Sequence, residues 1–520
     1  MARGLNKPCA ILIVIGGMER FAFKGVASNL VTYLTDVVKM SNSAAAKAVN
    51  SWSGITSMLP LLTAPLADSY WDRYITIVAS SSLYIVGLVA LTSTAMDLPW
   101  ISSTKTTSFA SLSWSLYLIS LGSAAYNPSL QAFAAEQQEE VDDAGLPCTK
   151  NNGQSPPKKT LFFQWWYFGI CCGSLLGTSM MSYIQDTIGW GVGFAIPAIA
   201  MIISLVFFLC GNKFYTRKKI HALDLKSLGN LVQTLREKVS QLFKGNATMM
   251  NRVVVDELEL EERPLCSPED GSSKDIIEES DQEGIYLLQI AKVVLPLLPV
   301  WTMLLMFAVI FQQPITFFTK QGMVMKRNIG SHFKIPPAAL QSAITVSIIL
   351  LMPLYDKLFI PFIRIFTRSE KGINVMQRMG VGMFLSVIAM IIAALTERKR
   401  LTMNTPLNIF CLLPQYILLG ISDIFTVVGM QEFFYSEVPI RMRTMGIALY
   451  TSVFGVGSFV SVLLISSVEY FTSSSESEHG WFADDMKVAR LDNYYWLLSV
   501  LSAVSFVSFV IFCRFYTSRS

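Results

Sequence analysis

The chain has 520 residues, of which 52% are hydrophobic and 15% are charged, with a net charge of +4 and a mean hydropathy of +0.46. About a quarter of the residues in soluble proteins are charged, so this composition excludes an ordinary soluble domain and indicates a multi-pass membrane protein. The charge balance gives no reason to expect a nucleic-acid partner, because basic residues in such a chain report its topology.

The eight cysteines contain no CxxC pair, and the three histidines, His221, His332 and His479, lie far apart in polar segments. This pattern favours neither a disulfide framework nor a metal site, and we expect no cofactor. The sequence also lacks a recognisable nucleophile–base pair, so an enzyme is not expected. The partners that we do expect are the lipid bilayer and a small-molecule solute.

Apolar runs of spanning length predict an all-α polytopic membrane protein with about twelve transmembrane helices. The first six runs are Ala10–Leu34, Trp52–Leu66, Tyr74–Thr94, Ser108–Ala134, Leu161–Ile184 and Val192–Leu209. The second six are Ile285–Phe311, Pro336–Leu354, Met376–Leu395, Leu407–Gly429, Thr444–Val468 and Asn493–Phe515. In the fifth run Gly169, Gly173 and Gly177 are spaced by four, which predicts close packing against a neighbouring helix.

One long polar segment separates the sixth run from the seventh, and its first part is basic while its second part is acidic. Basic residues beside a membrane exit place this segment in the cytosol. We therefore predict an N-terminal six-helix half at 1–211, a cytosolic linker at 212–284 and a C-terminal six-helix half at 285–520. Two such halves are the layout of the major facilitator fold, with a solute site between them near the bilayer midplane.

The first apolar run carries three charges at membrane depth, Glu19, Arg20 and Lys24. On a helix, Gly16, Arg20 and Lys24 fall at i, i+4 and i+8 and therefore share one face. Charges inside a membrane are costly and usually face the interior of a bundle or a water-filled cavity. We predict that this face lines a solute pathway; the alternative is that the cations extend to the membrane edge.

Several strings, in the same order along nearly the whole chain, resemble one family. They include Glu19-Arg20-Phe21, Phe162-Phe163-Gln164-Trp165-Trp166-Tyr167-Phe168, Phe317-Phe318-Thr319-Lys320-Gln321-Gly322, Gln377-Arg378-Met379-Gly380, Gln431-Glu432-Phe433-Phe434-Tyr435 and Gly480-Trp481-Phe482. On these residues the chain is similar to the plant nitrate/peptide transporters, the plant branch of the proton-coupled oligopeptide transporters. The resemblance implies alternating-access transport of a small solute, and family substrates include nitrate, short peptides and amino-acid-like compounds.

The chain departs from the family motifs at two charged positions. The family has Glu-x-x-Glu-Arg in its first helix and Lys-Pro in its fourth, whereas this chain has Gly16 before Glu19 and Asn127 before Pro128. In the family both missing charges belong to the network that couples protons to the solute. Losing one partner of a buried pair costs roughly 3–5 kcal/mol, so the loss of both is electrostatically consistent. We predict transport that is uncoupled from protons or weakly coupled through Glu19 and Glu432; the alternative is that Glu19 alone still carries a proton.

The predicted solute and coupling residues are Glu19, Arg20, Lys24, Asn127 and Glu432. The resemblance implies Glu432 as the acid of the tenth helix, and Lys24 is the candidate to replace the cation that Asn127 has removed. Two acids and two cations suit a zwitterion whose carboxylate binds Arg20 and whose amine binds Glu432. This slightly favours an amino-acid- or peptide-like solute over nitrate. The alternative is a nitrate transporter that is either proton-coupled or facilitative. A non-transporting receptor on a transporter fold is the alternative from another class.

Five further residues are candidates for lining the cavity. They are Gln164, Trp165, Phe311, Gln313 and Thr316. Each has a structural alternative, because aromatic residues at a helix start also anchor a protein at the membrane interface, and polar residues also join helices through hydrogen bonds.

The short turn between the second and third runs contains Asp68, Asp72 and Arg73. Acids and a cation in such a turn can cap helix ends and hold neighbouring helices, so we predict a gating role for these three residues. The sequence does not separate the plasma membrane, the vacuolar membrane and other endomembranes. It leaves the oligomeric state open, with a functional monomer as the expectation.

Overall fold

The computed structural model describes residues 7–70, 73–96, 105–143, 158–215, 295–330, 333–354, 374–403, 405–438, 443–473 and 480–517. Its helices all belong to one compact unit, formed by Met1–Lys218 together with Leu297–Ser520. The predicted linker lies mostly outside the described residues, so the domain boundaries at 211/212 and 284/285 stay predictions.

The first half, as we call the part before the linker, is built from helices α1 to α7. Their bounds are Lys7–Ala27 (α1), Leu30–Asp36 (α2), Asn42–Tyr70 (α3), Arg73–Ala95 (α4), Lys105–Asp143 (α5), Lys158–Thr187 (α6) and Trp190–Cys210 (α7). A 3₁₀ turn at Gly211–Phe214 follows α7. Each of the first six predicted runs therefore contains a helix, and the first run contains two.

The second half is built from helices α8 to α14. Their bounds are Leu298–Phe311 (α8), Phe317–Met323 (α9), Ser342–Leu354 (α10), Val375–Thr402 (α11), Leu413–Ser436 (α12), Arg443–Ser473 (α13) and Leu491–Thr517 (α14). Three 3₁₀ turns, Leu295–Leu297, Pro337–Gln341 and Ile409–Leu412, precede α8, α10 and α12. A small antiparallel hairpin joins β1 (Asn328–Ile329) to β2 (Phe333–Lys334) after α9.

Six segments in the described part are long and apolar enough to cross a membrane by themselves. They are Arg73–Ala95, Trp190–Phe214, Val375–Thr402, Ile409–Ser436, Leu449–Thr472 and Leu491–Phe515. The predicted all-α multi-pass architecture is confirmed. The end of α7 and the start of α8 adjoin the linker. Since successive spans cross the membrane in alternate directions, α2 ends, α3 begins and α13 ends at the opposite end of the bundle, which we call the distal end.

The first apolar run is not the single helix Ala10–Leu34 that its hydropathy predicts. The chain breaks at Ser28 and Asn29, between α1 and α2. Carbonyl groups released inside a membrane must find donors within the protein. The Gln185 amide donates to the Gly25 carbonyl at 2.8 Å, and the Gln341 amide donates to the Ser28 carbonyl at 2.8 Å. Side chains from other helices therefore make this break stable.

The seventh span has a corresponding break between α8 and α9, at residues 312–316, which include Pro314. Here the donors are local. The Thr316 hydroxyl donates to the Gln312 carbonyl at 2.7 Å, and the Thr319 hydroxyl donates to the Pro314 carbonyl at 2.7 Å. Proline removes one backbone donor, so the two threonines supply the hydrogen bonds that the helix has lost.

Helices α1 and α6 pack backbone against backbone, as the glycine spacing in the fifth run predicts. A methyl group on Gly173 would overlap the carbonyl oxygen of Gly17, and one on Gly17 would lie 3.1 Å from the Gly169 carbonyl oxygen. One on Gly177 would lie 2.5 Å from the Phe21 carbonyl oxygen. Only glycine permits such an approach, so these residues fix the distance between the two helices.

We expect Gly173→Ala to lower the free energy of unfolding by about 1–3 kcal/mol, because the added methyl group forces α6 away from α1. The measurement is the apparent melting temperature of the detergent-solubilised protein. The matched control is Gly380→Ala in α11, where a methyl group would meet Phe509 at an ordinary 3.6 Å. The control should leave the melting temperature unchanged or raise it. Equal melting temperatures for the two variants would contradict the close packing.

Candidate functional site

Glu19 is the most deeply buried charge of α1, with 1% of its surface exposed. The Asn127 amide of α5 donates to the Glu19 carboxylate at 3.3 Å and to the Ser123 hydroxyl at 3.1 Å. The Arg20 Nε atom lies 3.9 Å from the other carboxylate oxygen. The structure thus brings Glu19, Arg20 and Asn127 together, and a neutral amide is the hydrogen-bonding partner of the acid.

Gly16 occupies the position of the first glutamate in the Glu-x-x-Glu-Arg motif of the family that the chain resembles, but it does not leave an open space there. The indole ring of Trp166 in α6 fills that space, because a methyl group on Gly16 would lie 3.1 Å from Trp166 Cη2. Trp166 is itself buried, with 7% of its surface exposed. A larger side chain at position 16 therefore requires the indole ring to move.

Arg20 rests on an aromatic support. Its guanidinium carbon lies 5.8 Å from the centre of the Phe23 ring, and Phe23 stacks on Trp52 with 5.5 Å between the ring centres. The Trp52 indole donates to the Leu116 carbonyl at 3.0 Å, which holds the stack in place. A guanidinium above an aromatic face keeps its donors free for a carboxylate. Part of the Arg20 side chain, 28%, is exposed.

Lys24 lies one turn further along α1, and its electrostatic partner in the second half is Asp423 of α12. The two side chains attract each other, but within the described residues no direct ion pair joins them. The structure therefore places one cation and one acid on opposite sides of the boundary between the halves.

Glu432 binds a different cation from Lys24, which the sequence analysis offered as the candidate replacement for its lost partner. Its carboxylate accepts a hydrogen bond at 3.2 Å from Arg378 at the start of α11, and 53% of the side chain is exposed. Asp423 and Glu432 are nine residues apart on α12, which is two and a half turns at 3.6 residues per turn. They therefore point to opposite sides of the helix, and only Asp423 faces Lys24.

Two tyrosines that the sequence analysis did not single out complete the surroundings of Asp423. Tyr167 of α6 and Tyr450 of α13 both interact electrostatically with Asp423, and Tyr450 also interacts with Arg20. A single acid in the middle of a membrane-spanning run is by itself a functional signal, so Asp423 could have been found from the sequence. The two tyrosines carry no such signal, because each lies among many aromatic residues.

The candidate lining residues have different environments. Trp165 is 38% exposed and packs edge to face on Phe168, with 5.8 Å between ring centres. Phe311 packs on Phe307, with 4.8 Å between ring centres. Gln313 and Thr316 are fully buried at the break of the seventh span. The side chain of Gln164 lies outside the described residues.

Of the three residues predicted to act in gating, Arg73 is the first residue of α4. Asp72 and the side chain of Asp68 lie outside the described residues, so the gating role stays a prediction. Among the residues that the structure does describe, no group of three or more His, Cys, Asp or Glu side chains is arranged to hold a metal ion.

The distal ends of the two halves are joined by ion pairs that the sequence analysis did not identify. Lys320 of α9 donates to the Thr35 hydroxyl at 2.8 Å and lies 3.7 Å from the Asp36 carboxylate. A lysine of the first half likewise binds an acid of the second half, since Lys47 of α3 forms a 2.6 Å ion pair with Glu469 of α13. Each half therefore presents a lysine to an acid of the other half.

A further acid binds the first residue of α3. The Asp484 carboxylate accepts a hydrogen bond from the Asn42 backbone N–H at 3.1 Å, and the Asn42 side chain donates to the Ala483 and Asp484 carbonyls. Acids are favourable at a helix N-terminus, where backbone donors are unsatisfied. We call the set Asp36, Asn42, Lys47, Lys320, Glu469 and Asp484 the distal latch, because its contacts hold the halves together at this end.

The comparisons with known proteins cover nearly the whole chain. The sequence profile of the POT family (PTR2) matches residues 74–482. Protein NRT1/PTR FAMILY 5.9 of Arabidopsis thaliana is 56% identical over 550 residues, which cover 100% of this chain and 97% of that protein. Protein NRT1/PTR FAMILY 5.10 of the same plant is 39% identical over 538 residues, covering 99% and 93%.

Solved structures share the fold. The crystal structure of an auto-inhibited POT family peptide transporter superposes with a TM-score of 0.72 at 17% identity, covering 98% of this chain and 97% of that one. A POT family transporter in complex with 5-aminolevulinic acid gives a TM-score of 0.69 at 15% identity, covering 99% and 97%.

We expect the double variant Lys47→Cys/Glu469→Cys to be cross-linked between the halves by a short bifunctional thiol reagent whose span matches the native ion pair, because the two native side chains meet there. The chain is cut at a protease site introduced into the linker, and a non-reducing gel shows whether the halves remain joined. The matched control is Lys47→Cys/Ser467→Cys, since Ser467 is exposed on the other side of α13 and donates to its own helix. Halves that separate equally in both variants would contradict the latch.

Proposed function

Because the chain belongs to the POT family and is a secondary transporter of small solutes with a multi-pass major facilitator fold, we propose that its solute is an amino-acid- or peptide-like zwitterion. The single observation that carries this proposal is the balance of charge at the boundary between the halves. Arg20 and Lys24 belong to α1, while Glu19 and Asp423 supply an equal number of acids.

The carboxylate end of the solute binds Arg20 in this proposal. Its guanidinium is held on Phe23, donates no hydrogen bond from Nε among the described residues, and is partly exposed. A planar guanidinium matches a carboxylate with two parallel hydrogen bonds. Glu19 competes only weakly for Arg20, because the distance between their side chains is 3.9 Å.

The amine end binds Asp423, which replaces Glu432 in the sequence-based assignment. Lys24 then serves as the counter-ion of Asp423 when the site is empty, and the solute ammonium takes over that role on binding. The POT family transporter solved with 5-aminolevulinic acid supports a ligand that carries both an amine and an acid, although the similarity to that protein shows the fold alone.

Nitrate fits these residues less well. It carries a single negative charge and no hydrogen-bond donor, so a site for nitrate gains from surplus positive charge. Here Asn127 is neutral, and two acids balance the two cations. A monovalent anion would have to bind beside Asp423 or Glu19 without an amine to compensate for either acid.

Solute binding drives alternating access through the distal latch in this proposal. Closure of the halves on a bound zwitterion at the linker end separates the ion pairs of the latch at the distal end. Asp68, Asp72 and Arg73 remain our candidates for the opposing gate at the linker end, and the transporter acts as a monomer.

We expect oocytes that express the protein at their surface to take up glycine or dialanine and not nitrate. Arg20→Ala and Asp423→Asn should each reduce this uptake at least tenfold, because a buried charge of the solute loses its partner; about 1.4 kcal/mol suffices for that factor. Glu432→Gln is the matched control in the same helix, and it should change uptake less than twofold, since exposed ion pairs contribute little. Nitrate uptake without zwitterion uptake would overturn the proposal.

We also propose that transport is uncoupled from protons or coupled weakly. Two features support this: Asn127 replaces a cation beside Glu19, and Trp166 occupies the space beside Gly16. The initial rate of dialanine uptake should therefore change less than twofold between external pH 5.5 and pH 7.5 in voltage-clamped oocytes, an expectation based on the missing charged partners. A steep acid stimulation that Glu19→Gln abolishes would show that Glu19 alone carries the proton.

A further inference from the structure

A loop at residues 481–490 leads into α14 and carries part of the distal latch; we call it the distal loop. The Asp484 carboxylate in this loop accepts a hydrogen bond from the Asn42 backbone N–H at 3.1 Å, and the Ala483 and Asp484 carbonyls accept two more from the Asn42 side chain. Three hydrogen bonds to the first half therefore depend on the shape of a short loop. Ordering a loop costs conformational entropy, so a loop that is already held in its binding shape binds more strongly.

The second half holds the distal loop from its buried side. The Arg400 guanidinium of α11 donates to the Met486 carbonyl at 2.7 Å, two residues after Asp484. The Phe482 ring stacks on the Phe317 ring of α9, with 4.9 Å between ring centres. A hydrogen bond from a cation is stronger than one between neutral groups. Arg400 is therefore a strong polar anchor for the part of the loop that binds α3.

The orientation of Arg400 follows from Glu397, which lies one turn earlier in the same helix. The Nε and Nη2 atoms of Arg400 donate to the two Glu397 carboxylate oxygens at 2.8 Å and 2.7 Å, and both side chains are buried. Because both residues belong to α11, the pair does not join that helix to another one. A buried ion pair is often no more stabilising than apolar side chains of the same size, so the stability of the fold alone gives little reason for it.

The same ion pair lies close to a second segment that contributes to the latch. Gln321 of α9 approaches the Glu397 carboxylate without forming a hydrogen bond of ordinary geometry. Its neighbour along the chain, Lys320, is the latch cation that contacts the end of α2 in the first half. The pair therefore lies next to both the distal loop and α9, the segments that bring Asp484 and Lys320 to the latch.

We propose that Arg400 is a positioning residue of the transport cycle: through the Met486 carbonyl it holds the distal loop in the shape in which Asp484 binds α3. Glu397 orients the guanidinium and neutralises its charge. Lysine does not replace arginine here, because an ammonium group lacks the planar fork that meets both carboxylate oxygens and a carbonyl at once. This inference rests on the proposed part of the distal latch in alternating access and does not depend on the identity of the solute.

Ala46 of α3 can report whether the distal end is open. It belongs to the first half, but its side chain is fully buried in a hydrophobic cluster whose other members, among them Phe317, Ile465 and Met486, belong to the second half. A cysteine at position 46 therefore reaches solvent when α3 separates from this cluster. Its reaction with a membrane-impermeant thiol reagent added outside oocytes is counted above that of the same protein without the introduced cysteine.

The test variant is Glu397→Gln/Arg400→Met, which removes both charges and so leaves neither of them buried without a partner. Combined with Ala46→Cys, it should raise the labelling rate about three- to tenfold, because one hydrogen bond of the loop is lost while its aromatic contact remains. Arg490→Met is the matched control at the end of the same loop, since Arg490 is exposed and pairs with Asp492. The control should leave the labelling rate unchanged, because exposed ion pairs contribute little.

Two further measurements separate positioning from a general loss of packing. Ala393→Cys places a cysteine at a fully buried position of α11 in the same hydrophobic cluster, and it should stay unlabelled in every variant. The background Asn42→Ala/Asp484→Ala weakens the contact between the distal loop and α3, so the test variant should raise the rate no further there. In a Lys47→Met background the two increases should multiply, since Lys47 binds Glu469 independently of the loop.

Faster labelling that is confined to Ala46→Cys and disappears in the Asn42→Ala/Asp484→Ala background supports the proposal. An unchanged rate, labelling of Ala393→Cys as well, or a further increase in that background overturns it. The labelling requires no solute. A wild-type protein that carries no zwitterion therefore refutes the proposed solute, while the labelling decides this inference by itself.

Discussion

The arrangement of the two halves depends on one constraint: inside a membrane, a backbone carbonyl released by a break in a helix must find a donor within the protein. The break in the seventh span is satisfied by its own threonines. The break in the first span is not, because the Ser28 carbonyl accepts its hydrogen bond from Gln341 of the other half. The first span is therefore complete only while the distal end is closed, and water must replace Gln341 when the halves part. Backbone chemistry in one half thus favours contact with the other.

The sequence predicts the fold well wherever the signal is local. Apolar length identifies the spans, and the spacing of Gly169, Gly173 and Gly177 identifies the tight contact between α1 and α6. The break at Ser28 could not be predicted in the same way, because its donors, Gln185 and Gln341, stand beside it only in the folded protein. The distal latch was missed for the same reason: Lys47 and Glu469 are 422 positions apart. Such contacts require knowledge of which helices are neighbours.

The candidate site shows the same division between local and distant information. The structure brings Glu19, Arg20 and Asn127 together from two motifs that the resemblance assigned to one network, and their role in solute binding and coupling stays a prediction. A motif identifies a string but not the side of the helix that each residue occupies, so the sequence did not show that Glu432 contacts Arg378; its role in solute binding stays a prediction. Asp423 and Glu432 lie on opposite sides of α12, and Glu432 therefore forms an ion pair with Arg378 while Asp423 faces Lys24.

The glycine contact between α1 and α6 has a consequence for the length of the solute. Helices that touch backbone to backbone interlock, so we expect Arg20 on α1 and Tyr167 on α6 to move together as parts of one half. Asp423 belongs to α12 in the other half, and only its distance from Arg20 changes as the halves move. The shortest value of that distance sets the longest separation of charges that the closed protein can enclose. Under the proposed function the solute is held against one rigid wall, so amino acids and short peptides would be sorted by length as well as by charge.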